Sequence, residues 1–418
     1  MSLLAFDEIV RARQQIGDGV LLTPCPLSPA LSARYACHIY CKLDCLQRTG
    51  SFKERGARYA LLQLDDAHRA RGVIAASAGN HALALAYHGG LLGIPVTVVM
   101  PTYAPLVKQA NCRRFGATVV LHGATFGEAQ ARADALAAEQ QLTYIHGYDD
   151  LPVIAGQGTL GLEVVEQVPH LEAIVVPIGG GGLIAGVATA VKHLRPAVQV
   201  IGVEPANSTC FTSAVLAGQP VRVQSDPTLA DGLAVGTVGS RAFAIAQPLV
   251  DRVVTVSEAD LALAVVRMME LEKCVVEGAG AAPLAALLSG QFADLADRHV
   301  VLALGGGNID LNILSRLIET ALVADGRLVR FTAVISDRPG GLARLTGVIA
   351  EAGASVKEIV HDRTFSGPNV AAVNVLCTVE TRDEEHIAAL SSRLNDAGVQ
   401  HFANLGRWPD AGANGPRR

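Results

Sequence analysis

The sequence predicts an α/β protein built on open, mostly parallel sheets and followed by a small βαββαβ module. Three observations predict it. Between about residues 70 and 310, short runs rich in β-branched residues alternate with Ala- and Leu-rich stretches. Those runs are apolar throughout, as in strands covered on both faces. Near residue 325 the alternation stops and a different order of elements begins.

The strand-like runs are VIAAS (73–77), VTVVM (96–100), TVVLH (118–122), AIVVPI (173–178), VQVIGV (198–203), RVVTV (252–256) and HVVLAL (299–304). HIYCKLD (38–44) also reads as a strand. Stretches with helical spacing, such as HALALAYHGGLLG (81–93) and GTLGLEVVEQV (158–168), lie between them. Strand–helix alternation of this kind argues for one parallel sheet or two. After the connector ADGRL (324–328) the order is strand (328–336), helix (342–353), strand (354–362), loop SGPN (366–369), strand (370–380), helix (384–398) and strand (399–405). This is the ferredoxin-like order. Thr381 and Glu384 have the spacing of a capping box for the second of its helices. Residues 406–418 lack apolar periodicity and read as a disordered tail.

Composition bounds the function. A chain of 418 residues suggests roughly two or three domains. Half of the residues are hydrophobic and 17% are charged, so large buried cores can form. A net charge of -5 supplies no basic footprint for nucleic acid, and 4% aromatics supply few stacking surfaces. The start, MSLLAFDEIVRAR, lacks the pattern of a signal peptide. No apolar run reaches the roughly 20 residues of a membrane span. The expectation is a cytoplasmic protein with no nucleic-acid or membrane partner. Cys37, Cys41 and Cys45 recur every fourth residue. In a strand that spacing is about 13 Å, too far for two ligands of one ion. They read as reduced, packed cysteines, and no metal site is expected.

Three strand–helix turns are glycine-rich: SAGNH (77–81), GGGG (179–182) and GGGN (305–308). Backbone N–H groups and a helix dipole make such turns anion sites. In an open α/β sheet they gather at the C-terminal edge of the strands, where ligands bind. Four consecutive glycines exceed what a tight turn needs and let a phosphate approach the backbone. The same segment also fits a dinucleotide pattern. Gly180, Gly182 and Ala185 match G-x-G-x-x-A, and Glu204 ends the next strand where a ribose-binding acid belongs. A nicotinamide site would leave the next motif unexplained. In Ser51-Phe52-Lys53-Glu54, Ser51 and Glu54 have capping-box spacing and place Lys53 in the first turn of a helix. Burial near a positive helix end lowers a lysine's pKa, as a Schiff-base lysine requires. Spacing alone favours an ordinary exposed lysine in a capped helix.

Together these segments resemble the pyridoxal-phosphate (PLP) enzymes of the threonine dehydratase and serine racemase family, which have the tryptophan synthase β-like fold. KLDCLQRTGSFKERGA, SAGNHA, PIGGGGLIAG, GVEPAN, LADG, EGAGA and GGGNID match in order and at similar spacings over about residues 5–322. The joint match reverses the reading of Lys53. The resemblance implies a catalytic domain at 1–322, with a small subdomain at about 50–150 and the remainder as a large one. It implies that Lys53 forms the Schiff base with PLP and later removes the substrate Cα proton. Phe52 packs beside it, and Gly179, Gly180, Gly181, Gly182 and Leu183 hold the phosphate. Asn80 hydrogen-bonds the ring hydroxyl. Ser77, Asn80 and His81 grip the substrate carboxylate, and Glu277 lies near the ring. The family's Ser, Cys or Thr beside the pyridine nitrogen is here Gly305. Racemases of the family carry a serine where this chain has Ala78, so Ala78 favours a lyase. Their divalent-metal Asp position matches Cys210, so no metal is implied.

Residues 328–405 resemble an ACT domain, with Asp337-Arg338-Pro339-Gly340-Gly341-Leu342 as its first strand-to-helix turn. That implies an effector, a branched-chain amino acid, bound near Gly341 and Leu342. The expected reaction is deamination of L-threonine, and of L-serine as a poorer substrate, by β-elimination, in a homo-dimer or homo-tetramer serving isoleucine biosynthesis or threonine breakdown. The alternatives are a serine racemase and a catalytically weak amino-acid sensor.

Overall fold

In the computed structural model, which describes residues 3–363 and 371–405, the chain divides after Asp310 into two compact units. The first unit holds two parallel sheets. One has five strands, His38–Lys42 (β1), Ala173–Pro177 (β6), Gln199–Pro205 (β7), Arg252–Val256 (β8) and His299–Ala303 (β9), in the order β1-β9-β6-β7-β8. The other has Val73–Ala76 (β2), Val96–Met100 (β3), Thr118–Leu121 (β4) and Thr143–Tyr144 (β5), in the order β4-β3-β2-β5. Every pairing in both sheets is parallel. All residues of β2 and β6 are buried, as expected of strands covered on both faces.

Helix Leu151–Gln167 joins the two sheets in sequence and is buried along Val153–Val164. It lies against helix Gly182–Leu194, where a Cβ at Gly186 would sit 2.9 Å from the Gly158 Cα. Only glycine allows so close an approach. Glu163 is the one charged residue within that buried stretch, and its carboxylate is paired.

The second unit has an antiparallel sheet of Leu328–Ser336 (β10), Ser355–Asp362 (β11), Ala372–Glu380 (β12) and Gln400–Leu405 (β13), in the order β11-β12-β10-β13. Val329, Phe331 and Ala333 alternate inward with Val373, Val375 and Cys377. They pack on Leu345 and Ile349 of helix Gly341–Glu351 and on Ile387, Leu390 and Leu394 of helix Glu384–Asp396. The βαββαβ order is thus present. Two details depart from the sequence reading. Helix Leu311–Ala324, expected partly in the catalytic domain, belongs to this unit, and Lys357 of β11 donates to its Glu319 at 2.7 Å. The Thr381–Glu384 capping box does not form. The helix starts at Glu384, so Asp383 takes the N-cap and accepts from His386 N, while Thr381 Oγ1 donates to Gly326 O. The expected tail 406–418 and the SGPN loop (366–369) lie outside the described residues. Among the described residues no helix is long and apolar enough to cross a membrane.

Candidate active site

The three glycine-rich turns follow β2, β6 and β9 at their C-terminal ends. Phe52 N donates to Gly305 O at 2.8 Å, and Ser51 bridges Gly306. The segment before Lys53 is therefore an extended partner of the third turn. For that reason the predicted Ser51–Glu54 capping box is absent. Helix Lys53–Leu62 begins at Lys53 with Phe52 as an N-cap that makes no side-chain bond. Ser51 Oγ is buried without a protein partner. The Glu54 carboxylate instead accepts from Thr49 N and faces His88 Nε2 at 3.2 Å.

Lys53 Nζ donates to Gly147 O at 2.6 Å. Burial lowers its pKa to about 8, and the Glu277 carboxylate offsets only part of that. Glu277 is itself buried, and burial with Asp231 nearby raises its pKa to about 7. Asn80 connects the turns. Its Nδ2 donates to Glu277 Oε1 at 2.6 Å, and its Oδ1 accepts from Asn308 Nδ2 at 2.8 Å. Asn308 also donates to Thr49 O, and Glu277 N donates to Gly306 O. Thus Asn80, Glu277, Asn308 and Lys53, drawn from four segments, meet at one place.

Ser77 Oγ accepts from Gly79 N and Ala82 N, shaping the start of helix Asn80–Leu92. His81 Nε2 lies 3.0 Å from Ile145 O, so that nitrogen carries the proton. Burial, with Lys53 nearby, lowers the His81 pKa to about 3 and keeps the ring neutral. Its Nδ1 has no protein partner.

Gly179 to Leu183 lead into helix Gly182–Leu194. Gly181 has φ +90°, a conformation that glycine adopts freely. A Cβ at Gly180 would overlap the Tyr148 ring, and one at Gly182 would lie 2.5 Å from Tyr148 O. The first-turn amides of this 13-residue helix lack intrahelical acceptors and face the positive end of its dipole. A lysine held below its usual pKa beside a side-chain-free helix start suits a group carrying an aldehyde and a phosphate. At Gly305 a Cβ would lie 2.9 Å from Phe52 Cδ1, so the Phe52 ring fills the space a side chain at 305 would enter.

Sequence reasoning missed residues 145–149. This segment supplies Ile145 O to His81, Gly147 O to Lys53 and the Tyr148 ring to Gly180. Its Asp149 carboxylate accepts from Ser240 N and Ala242 N at the start of helix Ser240–Ala246. It also missed the buried ion cluster beneath the lysine helix. Arg55 donates to both Asp44 oxygens and both Glu163 oxygens, and Lys42 Nζ donates to Glu163 Oε2 at 2.5 Å. A single charged residue, Glu163, in the apolar stretch Val153–Val164 was the available signal. Glu204, the candidate ribose-binding acid, spends both oxygens on helix Cys210–Ala217, accepting from Phe211 N, Thr212 N and Thr212 Oγ1. That favours a structural over a nucleotide-binding role. Among the described residues no cluster of three or more His, Cys, Asp or Glu side chains could hold a metal ion.

A family model described as pyridoxal-phosphate dependent enzyme matches residues 16–306. An L-threonine ammonia-lyase of Thermotoga maritima is 40% identical over 398 residues, covering 95% of this chain and 99% of that protein. An L-threonine ammonia-lyase of Geobacter sulfurreducens is 43% identical over 396 residues, covering 95% and 98%. Among solved structures, the processed threonine deaminase isoform 2 of Solanum lycopersicum superposes with a TM-score of 0.72 at 37% identity, covering 75% of this chain and 92% of that one. A serine racemase of Dictyostelium discoideum superposes at 0.70 with 35% identity, covering 73% and 99%.

Proposed function

This chain belongs to the family of pyridoxal-phosphate dependent enzymes, and on that premise we propose that it is an ammonia-lyase converting L-threonine to 2-oxobutanoate and ammonia, and L-serine to pyruvate more slowly. Lys53 carries the proposal: it is an amine with a pKa lowered to about 8, at the meeting point of the glycine-rich turns. Relatives alike over nearly the whole chain that are L-threonine ammonia-lyases support the substrate.

Lys53 would hold the cofactor, and Gly179, Gly180, Gly181, Gly182 and Leu183 would hold its phosphate. Asn80, fixed by Asn308 and Glu277, would orient its ring. When bound, pyridoxal phosphate supplies the electron sink that lets Cα lose a proton and the β-hydroxyl depart. Lys53 Nζ is the base that takes this proton, since a neutral amine exists there nearer neutral pH than on an ordinary lysine. The start of helix Asn80–Leu92, with Ser77 shaping it, receives the substrate carboxylate. The neutral His81 ring lines that place without adding charge. Glu277 is buried and Lys53 half-buried, which limits the water around the reacting atoms.

A serine racemase among the solved relatives makes racemisation the second reading. Elimination needs one acid–base group at Cα, whereas racemisation needs a second on the opposite face. Ala78 has no proton to give, which favours the lyase. Chiral analysis of recovered L-serine tests this, and accumulation of D-serine would reverse the choice.

The C-terminal unit reads as an ACT domain that binds a branched-chain amino acid where Gly340, at φ +97°, turns into helix Gly341–Glu351 beside Leu342. Saturating isoleucine or valine is expected to change the rate of threonine turnover or the thermal midpoint. No change in either would remove the effector. Assembly as a homo-dimer or homo-tetramer is tested by sedimentation velocity.

The central test is the absorption spectrum of the purified protein, with 2-oxobutanoate assayed from L-threonine, before and after Lys53→Ala. A bound-cofactor band and keto-acid production, both lost in the variant, are expected. A wild-type protein that stays colourless and inactive with added pyridoxal phosphate would overturn the assignment and favour the sensor.

A further inference from the structure

Cys45 and Cys274 come from distant parts of the sequence, yet their sulfurs are 3.4 Å apart. Cys45 sits in the turn Asp44–Leu46 that follows β1, and its N–H donates to Leu304 O. Cys274 follows the π-helical turn Met268–Glu272 and Lys273, whose φ is +56°. Both thiols are 7% exposed, while their chain neighbours Leu46 and Val275 are 49% and 44% exposed. The pair therefore lies just beneath the surface, next to exposed chain.

The two segments clamp a residue of the site. A Cβ at Gly307 would lie 2.8 Å from Val275 O and 3.3 Å from Cys45 Cβ. Gly307 belongs to the turn that carries Asn308, and Cys274 is three residues ahead of Glu277. The mechanism above uses neither thiol.

Cys274 also differs chemically from the other cysteines. Burial raises Cys25, Cys37, Cys41, Cys112, Cys210 and Cys377. Cys274 is lowered and Cys45 raised, because the two sulfurs share one hydrogen bond that favours a single negative charge on the pair. A thiolate with a resolving thiol in contact is the arrangement of an oxidation-sensitive cysteine.

We propose that Cys45 and Cys274 form a reversible oxidation site, taking a hydroperoxide as its oxidant, whose disulfide tightens the Gly305–Asn308 turn and lowers cofactor-dependent activity. The Cys274 sulfur attacks one peroxide oxygen. An S–O bond forms, the O–O bond breaks, and the departing hydroxide takes up a proton to become water. The Cys45 sulfur then attacks the S–OH sulfur and expels a second hydroxide, which leaves as water with the Cys45 proton. The two thiols lose two electrons and two protons, and hydrogen peroxide gains both to give two waters. A disulfide needs its sulfurs about 2.05 Å apart. From 3.4 Å the sulfurs must close by roughly 1.3 Å, in segments that pack against Gly307.

The experiment treats the cofactor-loaded full chain with hydrogen peroxide, blocks remaining thiols with N-ethylmaleimide and maps the peptides. The expected product is one Cys45–Cys274 cross-link, removed by dithiothreitol. With it, the bound-cofactor absorption shifts and turnover falls by roughly tenfold to a hundredfold, the scale of an ångström-sized displacement in a site. Both return on reduction. Cys45→Ser and Cys274→Ser are expected to show none of these changes. The peptide map and the spectrum do not depend on threonine being the substrate, and the map of the wild-type chain needs no variant to fold. Peroxide modification that leaves the pair unjoined would overturn the proposal. So would a cross-link that alters neither spectrum nor turnover.

Discussion

Lys53 Nζ lies 2.6 Å from the carbonyl oxygen of Gly147, so a backbone acceptor rather than a carboxylate holds the amine of the site. With no anion in direct contact, burial prevails and the ammonium loses its proton near pH 8. Capture of added pyridoxal phosphate by cofactor-free protein should therefore rise about tenfold per pH unit below 8 and level off above it, because only the neutral amine attacks an aldehyde. Stopped-flow absorbance reads the rate. A profile rising without a break to pH 10 would show an ordinary lysine.

The same shift has a stability sign. Between pH 8 and 10.5 the folded amine is neutral while the unfolded one keeps its proton. The unfolded state then binds more protons, so stability rises with pH across that window. Lys53→Met in the cofactor-free protein should raise the thermal midpoint at pH 7. The gap should narrow as pH climbs from 8 to 10.5, as followed by calorimetry.

Glu277 works in the opposite direction. Its folded pKa of about 7 lies above its ordinary 4.5. The folded state holds the extra proton between those values, and the stability it contributes is lost as pH rises through 7. Glu277→Gln should flatten that loss. A midpoint difference between variant and wild type that does not grow between pH 4.5 and 8 would contradict the assignment.

Arg55 is wholly buried and bonded to Asp44 and Glu163. Arg55→Met leaves two carboxylates in the core with Lys42 as the remaining cation. Removing one member of such a cluster costs about 3–5 kcal/mol. Urea denaturation of the cofactor-free protein measures it, and a loss below about 1 kcal/mol would show that the cluster relaxes or admits water.

Gly182→Ala places a methyl group 2.5 Å from the Tyr148 carbonyl oxygen, which no side-chain rotation relieves. Cofactor affinity should fall by more than about tenfold, equivalent to some 1.4 kcal/mol. A fluorescence titration with pyridoxal phosphate reads it, and unchanged affinity would mean the phosphate is held elsewhere.

Much of this was legible in the sequence, and the exceptions share a cause. The seven apolar runs all became strands, five of them largely buried, while β4 and β8 lie at sheet edges and stay partly exposed. The glycine turns were legible because each follows its strand directly. Both capping boxes failed because a neighbour overrode local spacing. Pairing of Ser51 with Gly306 moved one helix start to Lys53, and Asp383 outcompeted Thr381 at the other. The contacts of Gly147 and Tyr148 with Lys53 and Gly180 join residues far apart in sequence, which periodicity does not register. The buried charges escaped for the same reason: Lys42, Asp44 and Arg55 look like surface residues until Glu163 is placed among them.

The order of strands also sets a timetable for synthesis. β1 is made first, but its neighbour is β9, with His38 opposite His299. The smaller sheet has all four of its strands by Tyr144. As the chain leaves the ribosome, that sheet can assemble while β1, with its apolar Ile39 and Cys41, still waits for a partner. Such long-range pairing folds slowly. The interval before Ala303 emerges is therefore when the nascent chain most needs a chaperone's shelter.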